Sequence, residues 1–75
     1  MPTFYFDILV NAEKSADVNG TELGSAEEAH KLALEDIRML ARYGGRPTGT
    51  SYCVLEVLDE QRNLLFRFPF FMNDS

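Results

Sequence analysis

A single amphipathic helix with clearly marked ends constrains this chain more than any other feature. Ser25, followed three residues later by Glu28, matches a capping box, in which the two side chains satisfy free amides at a helix N-terminus. The glycine pair at 44–45 and then Pro47 predict the helix end, so we expect a helix from about Ala26 to Tyr43. Because one helix shields only one face of a sheet, the other face must be accounted for separately.

Three further segments have the alternation and the β-branched and aromatic content that are typical of strands. They are residues 3–10, 51–58 and 64–71, and residues 21–23 are a candidate fourth strand after the Asn19-Gly20 turn signal. These elements predict a single α+β domain spanning 1–75, ordered over about 3–71, with a tail at 72–75. Its three- to four-stranded, mainly antiparallel sheet carries one helix on one face, in the order β-(β)-α-β-β.

Charge predicts how the last two strands pair. Placing Glu56 opposite Arg67 gives a cross-strand ion pair and leaves a wholly apolar opposite face, which the helix is expected to cover with Phe4, Phe6 and Ile8. The same register pairs Leu58 with Leu65, Val54 with Pro69 and Tyr52 with Phe71 on one face, and Val57 with Phe66, Leu55 with Phe68 and Cys53 with Phe70 on the other.

Pro69 bears on the strand order because proline has no amide hydrogen. If its nitrogen faces away from strand 51–58, the last strand is an edge and the first strand pairs with 51–58. If the first strand instead lies beside the last, pairing should stop before Pro69.

The second sheet face, away from the helix, is too apolar for a face in contact with water alone. We therefore expect it, or the adjacent strand edge, to bind a second copy of the chain or a dedicated protein partner. The alternative is that loops 11–24 and 44–50 fold over it. The candidate interface residues are Tyr5, Leu9, Tyr52, Val54, Leu58, Leu65, Arg67, Pro69 and Phe71.

Four short motifs and the alanine-rich helix from Ser25 form a pattern that covers nearly the whole chain; the motifs are Phe4-Tyr5-Phe6-Asp7, Gly20-Thr21-Glu22-Leu23, Val57-Leu58-Asp59-Glu60 and Phe66-Arg67-Phe68-Pro69. In this pattern the chain resembles an uncharacterised domain-of-unknown-function family of short alphaproteobacterial proteins. Relatives usually carry an arginine before the Asp-Glu pair and a glycine in the turn, where this chain has Leu58 and Arg62. The turn is therefore expected to differ, with Asn63 as its left-handed residue. The resemblance implies the fold and brings no activity with it.

Charge and cysteine content set further expectations. Seven basic and twelve acidic residues give a net charge of −5, which disfavours binding to nucleic acid or to an anionic membrane. One cysteine and no signal-peptide or membrane-spanning pattern are typical of a cytoplasmic protein. A chain of this length builds only a small core, and small domains often gain stability from a disulfide, a metal or a partner subunit. Because a single cysteine allows no intrachain disulfide and no zinc-site pattern is present, oligomerisation is the remaining source of added stability.

Candidates for chemistry each have a simpler structural interpretation. His30 lies on the flank of the helix, and Cys53 is expected among core residues where a thiol is inert, so neither is assigned as catalytic. Residues 15–22 faintly resemble a calcium loop, but its first and twelfth positions are Ser15 and Ala26, so an Asn-Gly turn is predicted instead.

Two further features carry charge. Asp36 lies on the apolar side of the helix, where a carboxyl must find a partner, sit at the rim with access to water or be protonated. Unchanged or higher stability after its replacement by alanine would mean that it has no essential buried partner. The basic residues Arg38, Arg42 and Arg46 are interpreted as a solvated helix end that complements the helix dipole. The sequence thus predicts no catalytic, cofactor or metal site. The leading hypothesis is a non-enzymatic interaction or regulatory module; a nucleic-acid-associated protein is second, and a ligand binder or enzyme third.

Overall fold

In the computed structural model, which describes residues 1–43 and 50–73 and the side chains of 1–40 and 51–71, the chain is an α+β fold with one helix and five strands. The strands are β1 (Thr3–Val10), β2 (Glu13–Ser15), β3 (Thr21–Glu22), β4 (Thr50–Leu58) and β5 (Leu64–Asn73), and the helix is α1 (Ala26–Tyr43). The strand order is β2-β1-β4-β5, with β3 also paired to β1, and all pairs are antiparallel. The predicted fold class is confirmed.

Helix α1 has the predicted bounds and N-terminal cap. The Glu28 amide donates to Ser25 Oγ over 3.2 Å, as a capping box requires. The Glu28 carboxylate, however, accepts from the Gly24 amide over 2.8 Å, one residue earlier than the motif predicts. The predicted C-terminal cap at 44–45 lies outside the described residues.

The core lies between α1 and the inner face of the sheet. Ala29 and Ala33 are fully buried, and their small side chains allow the helix to approach β5 and β4 closely. The residues packed there from the strands are Phe4, Phe6, Ile8, Leu55, Val57, Phe66, Phe68 and Phe70, so the predicted helix-covered face is confirmed.

The β4–β5 register is confirmed over most of its length, including Glu56 opposite Arg67 and Tyr52 opposite Phe71. One pair was predicted wrongly: Leu58 lies opposite Leu64 instead of Leu65, because a bulge follows the Val57 pair.

Strand β5 lies at an edge, as the first alternative for Pro69 predicts. The Asn11 amide donates to the Tyr52 carbonyl, so in β4 the even-numbered backbone groups face β1 and the odd-numbered ones face β5. By the same alternation the odd-numbered groups of β5, Pro69 among them, face outward. The ring therefore removes no hydrogen bond from the sheet.

Two elements differ from the expectation. The short strand β2 was not predicted; it follows a two-residue turn at Asn11 and Ala12, whose φ angles are 50° and 73°. In the β4–β5 turn, the left-handed residue is Arg62, with φ of 63°, and not Asn63. The backbone amide of Asn63 instead donates a hydrogen bond to Asp59 Oδ1 over 2.8 Å.

Candidate functional site

The second sheet face is crossed by a line of alternating charges, which we call the charged row: Arg62, Asp7, Lys14, Glu56 and Arg67. Asp7 on β1 and Glu56 on β4 are directly opposite each other, and Arg67 on β5 is opposite Glu56. Two carboxylates at neighbouring positions would repel, so the cation that lies between them stabilises the arrangement. Lys14 Nζ is 3.4 Å from Asp7 Oδ2 and 3.7 Å from Glu56 Oε1.

Asp7 anchors the row because its side chain is completely buried. Arg62 Nη2 donates to Asp7 Oδ2 over 2.6 Å, and the Asp17 amide donates to Asp7 Oδ1 over 2.8 Å. Burial alone would raise the pKa of the Asp7 carboxyl, but the hydrogen bond from Asp17 and the cationic partners Arg62 and Lys14 outweigh it and lower the pKa. Asp7 is therefore held as a carboxylate.

Residues 16–20 form a turn that closes the outer side of β1 between β2 and β3. Asp17 Oδ2 accepts from the Phe6 amide over 3.1 Å, which replaces the missing strand neighbour at that point. Asp17 Oδ1 also accepts from the amides of Asn19 and Gly20, so the turn prediction for this segment is confirmed. Glycine suits position 20 because its φ of 73° lies in the left-handed region, and a Cβ there would also lie 2.5 Å from Thr3 Cγ2 and 3.2 Å from the Phe4 carbonyl oxygen.

Arg62 joins the distant parts of this arrangement. Its Nη1 donates to the Asp17 carbonyl over 3.2 Å, and its Cζ lies 4.7 Å from the centroid of the Tyr5 ring. Through Asp7 it also links the β4–β5 turn to β1, across 55 positions of sequence. The charged row therefore covers the part of the second face that lies over β1.

Beside the row is an open cleft of about 290 Å³, lined by Leu9, Asn11, Ala12, Tyr52, Val54 and Arg67. Leu9 and Val54 are directly opposite each other and form its apolar floor. Asn11 forms one wall, fixed because its Oδ1 accepts from the Tyr52 amide over 3.1 Å. Arg67 forms the opposite wall, where its Nε lies 3.6 Å from Glu56 Oε2.

The structure divides the nine candidate interface residues into three groups by exposure. Val54 and Leu58 are buried within the chain, and Tyr5 and Leu9 are half-buried. Five remain exposed and form what we call the exposed strip: Tyr52, Leu65, Arg67, Pro69 and Phe71. The segment 11–20 and the charged row cover the β1 side of the face, while loop 44–49 lies outside the described residues.

The exposed strip contains an aromatic pair. Tyr52 is 46% exposed and Phe71 is 67% exposed, and their ring centroids are 5.5 Å apart. A pair of this size leaves a substantial apolar area in water on a face that no helix covers.

The other sequence candidates occupy separate places. His30 packs edge-on against Phe66 and Phe68, with ring centroids 5.0 and 5.1 Å away. Cys53 is buried, and its thiol donates to the Ser51 carbonyl over 3.8 Å. Asp36 is half-buried and makes no hydrogen bond or ion pair with another described group. Burial, and then the neighbouring charge of Glu35, raise the pKa of Asp36. Arg38 is exposed, and the side chains of Arg42 and Arg46 lie outside the described ones.

Sequence reasoning missed the charged row almost entirely. Only its Glu56–Arg67 pair was predicted, since that pair follows from strand register. Asp7 stood out in the sequence as a charge in an otherwise apolar strand, which is the one signal that a partner was required.

No group of three or more histidine, cysteine, aspartate or glutamate side chains within the described ranges is placed to hold a metal ion. Among residues 1–43 and 50–73, no helix has the length and apolar character that a membrane crossing requires.

Comparison with known proteins identifies the family. The family model described as Domain of unknown function (DUF6894) matches residues 3–71, which include every ion pair described above and all the strands except the last two residues of β5. No curated protein and no solved structure matches the chain. The match covers nearly the full length, and the chain belongs to this family of domains of unknown function.

Proposed function

We propose that this chain is a small non-enzymatic interaction module that acts as a homodimer, with the exposed strip at the interface. The observation that carries the proposal is the Tyr52–Phe71 pair, two adjacent aromatic rings that are about half and two-thirds exposed. Tyrosine and phenylalanine are enriched in protein interfaces, where they contribute much of the binding energy.

The face is favoured over the strand edge as the contact. An open edge normally invites a further strand, and proteins discourage this with proline and charged residues. Strand β5 carries Pro69 in its middle and Arg67 beside it, both with outward-facing backbone groups. A strand added at that edge would find no backbone hydrogen-bond donor at Pro69. Side-chain packing on the face needs no backbone hydrogen bonds.

A second copy is compatible with the charges of this face. The charged row has a cation at each end and reads the same in both directions, so a reversed row places unlike charges opposite each other when it is shifted by one position. Nucleic acid would require an excess of free cations, but here each cation of the row lies beside a carboxylate, in a chain of net charge −5.

The test is sedimentation of the wild-type chain and of Phe71→Ser over micromolar concentrations. We expect a wild-type dimer whose dissociation constant rises at least about tenfold in the variant, as is typical for an aromatic residue central to an interface. The matched control is Met39→Ser, which removes a similarly exposed apolar side chain (57%, against 67% for Phe71) from the helix and should leave the dimer unchanged. A monomeric wild type, or an equal rise of the dissociation constant in Phe71→Ser and Met39→Ser, would contradict the proposal. Salt-sensitive binding to DNA or RNA would instead favour a nucleic-acid-associated protein.

A further inference from the structure

The cleft on the second face is large enough to receive an aromatic ring. Its volume of about 290 Å³ exceeds the ~150 Å³ of an engineered apolar cavity that binds benzene. The floor is made by Leu9 and Val54, and Tyr52 contributes an aromatic surface on the side toward β5. A phenyl group entering from outside would therefore meet apolar atoms below it and at its side.

The chain presents such a ring on the same face but outside its own cleft. Phe71 is opposite Tyr52 on β5, and the two rings meet at 58° with the Tyr52 ring adjoining the cleft. Phe71 is the most exposed aromatic residue of the described side chains, at 67%. The ring and the cleft are thus neighbours separated by Tyr52.

Building on the proposed homodimer, we infer that the Phe71 ring of each subunit fills the cleft of the other. A two-fold axis lying in the interface between the cleft and Phe71 exchanges their positions on two facing surfaces, so both insertions form at once. The same surface then supplies both the inserted group and its receptor, which is what an interface between identical patches requires.

The polar wall of the cleft also suits an aromatic occupant. Arg67 lines the cleft and is half-exposed, and its Nε is directed to Glu56 at 3.6 Å. A guanidinium over the face of a phenyl ring is attracted to the ring, and the attraction strengthens when water is excluded. From the wall of the cleft, Arg67 is placed to contact a ring bound there in this way.

Two variants separate insertion from general contact. Phe71→Ala removes the ring and leaves the cleft open, while Leu9→Trp keeps the ring and fills the cleft, since Leu9 is half-buried in its floor. Neither variant can form an insertion with itself. When they are mixed, the Phe71 ring of the Leu9→Trp subunit can enter the open cleft of the Phe71→Ala subunit, which restores one of the two insertions.

The experiment measures dissociation constants by energy transfer between subunits labelled at an added terminal cysteine in a Cys53→Ser background. We expect the mixed dimer to bind at least about tenfold more tightly than the geometric mean of the two variant homodimers, because it regains one buried aromatic contact. Leu9→Phe is a milder cleft-filling variant if Leu9→Trp does not fold, as judged by circular dichroism.

The outcomes distinguish the two proposals. A wild-type dimer whose mixed variants bind no better than the geometric mean would overturn the insertion and leave the homodimer standing. A monomeric wild type would overturn both.

Discussion

Arg62 holds a left-handed backbone conformation, which costs a non-glycine residue about 1–2 kcal/mol. The contacts of its side chain offset this cost: the 2.6 Å bond to Asp7, the bond to the Asp17 carbonyl and the contact with the Tyr5 ring. Glycine would suit the backbone but would lose all three contacts. The residue that bends the β4–β5 turn is therefore also the one that ties the turn to β1.

Replacing Asp7 with Asn should lower the free energy of unfolding by about 2 kcal/mol at pH 7, the scale of a charged hydrogen bond. The amide can still accept from Asp17, but it offers no charge to Arg62 or Lys14. Urea unfolding monitored by circular dichroism measures the difference. An unchanged unfolding midpoint would show that the charge of Asp7, next to Arg62 and Lys14, contributes nothing measurable to stability.

The wild-type chain should also lose stability in acid. The folded-state pKa of Asp7 is lowered relative to an unfolded value of about 3.9. A lowered pKa gives stability that is present above the unfolded value and lost as pH falls through the folded one, so the loss begins below about pH 5. In Asp7→Asn this part of the acid dependence should be missing.

Asp36→Asn is the matched control because the pKa of Asp36 is raised, whereas that of Asp7 is lowered. Its pKa is raised by burial and by Glu35, so the charged form is disfavoured in the folded state at neutral pH. This variant should be slightly more stable than wild type at pH 7, by less than about 1 kcal/mol because the site is partly solvated, and the gain should vanish in acid. A loss of stability would reveal a partner that depends on the Asp36 carboxylate.

At the scale of elements, the β1–β2 turn is the most strained of the connections within residues 1–43 and 50–73. Its two residues both have positive φ, the geometry in which Asn-Gly is preferred, yet the second is Ala12 at φ 73°. Ala12→Gly should raise the free energy of unfolding by about 0.5–1 kcal/mol, since relief of strain exceeds the added entropy of the unfolded chain. Thermal unfolding at low protein concentration measures this without a contribution from association.

The control for this variant is Ala16→Gly. Ala16 is exposed and does not have a positive φ, so glycine there gains nothing and should lower stability by about 0.4–1 kcal/mol. A change in the free energy of unfolding of the same sign in Ala12→Gly and Ala16→Gly would contradict the argument that the turn at Ala12 is strained.

The elements that sequence predicts well are those with local or charge-based signals. Ser25 and Glu28 mark the helix start, and the Glu56–Arg67 pair selects the β4–β5 register. The missed strand β2 has no such signal: Glu13, Lys14 and Ser15 are exposed and polar, so they show no alternation. Its pairing depends on the turn before it, where alanine occupies the usual glycine position.

The candidate site was harder to predict because its contacts depend on several elements at once. Asp7 and Arg62 meet only when β1 lies beside β4 and the bulge after Val57 has set the path of the turn. The left-handed conformation of Arg62, which no propensity favours, then directs its side chain to Asp7. Which of the candidate interface residues stay exposed also depends on a non-local contact, the folding of segment 11–20 along β1.

For the whole molecule, folding and association should be coupled. A 75-residue domain has a small core, and burying the exposed strip would add to its stability. If the dimer forms as proposed, a hundredfold rise in protein concentration should raise Tm by about 5 °C, because subunit binding stabilises the folded state by mass action. Scanning calorimetry at two concentrations measures this shift, and at both concentrations Phe71→Ser should have a lower Tm than the wild type.

The position of β1 in the sheet has a consequence for how the chain is made. Its neighbours on one side come from residues 13–22 and on the other from β4, which follows the helix. A ribosome that has released only the helix and what precedes it therefore holds Phe4 and Phe6 without the strands that bury them. Folding has to wait for β4 and β5, and during synthesis these side chains are open to any chaperone that binds exposed aromatic segments.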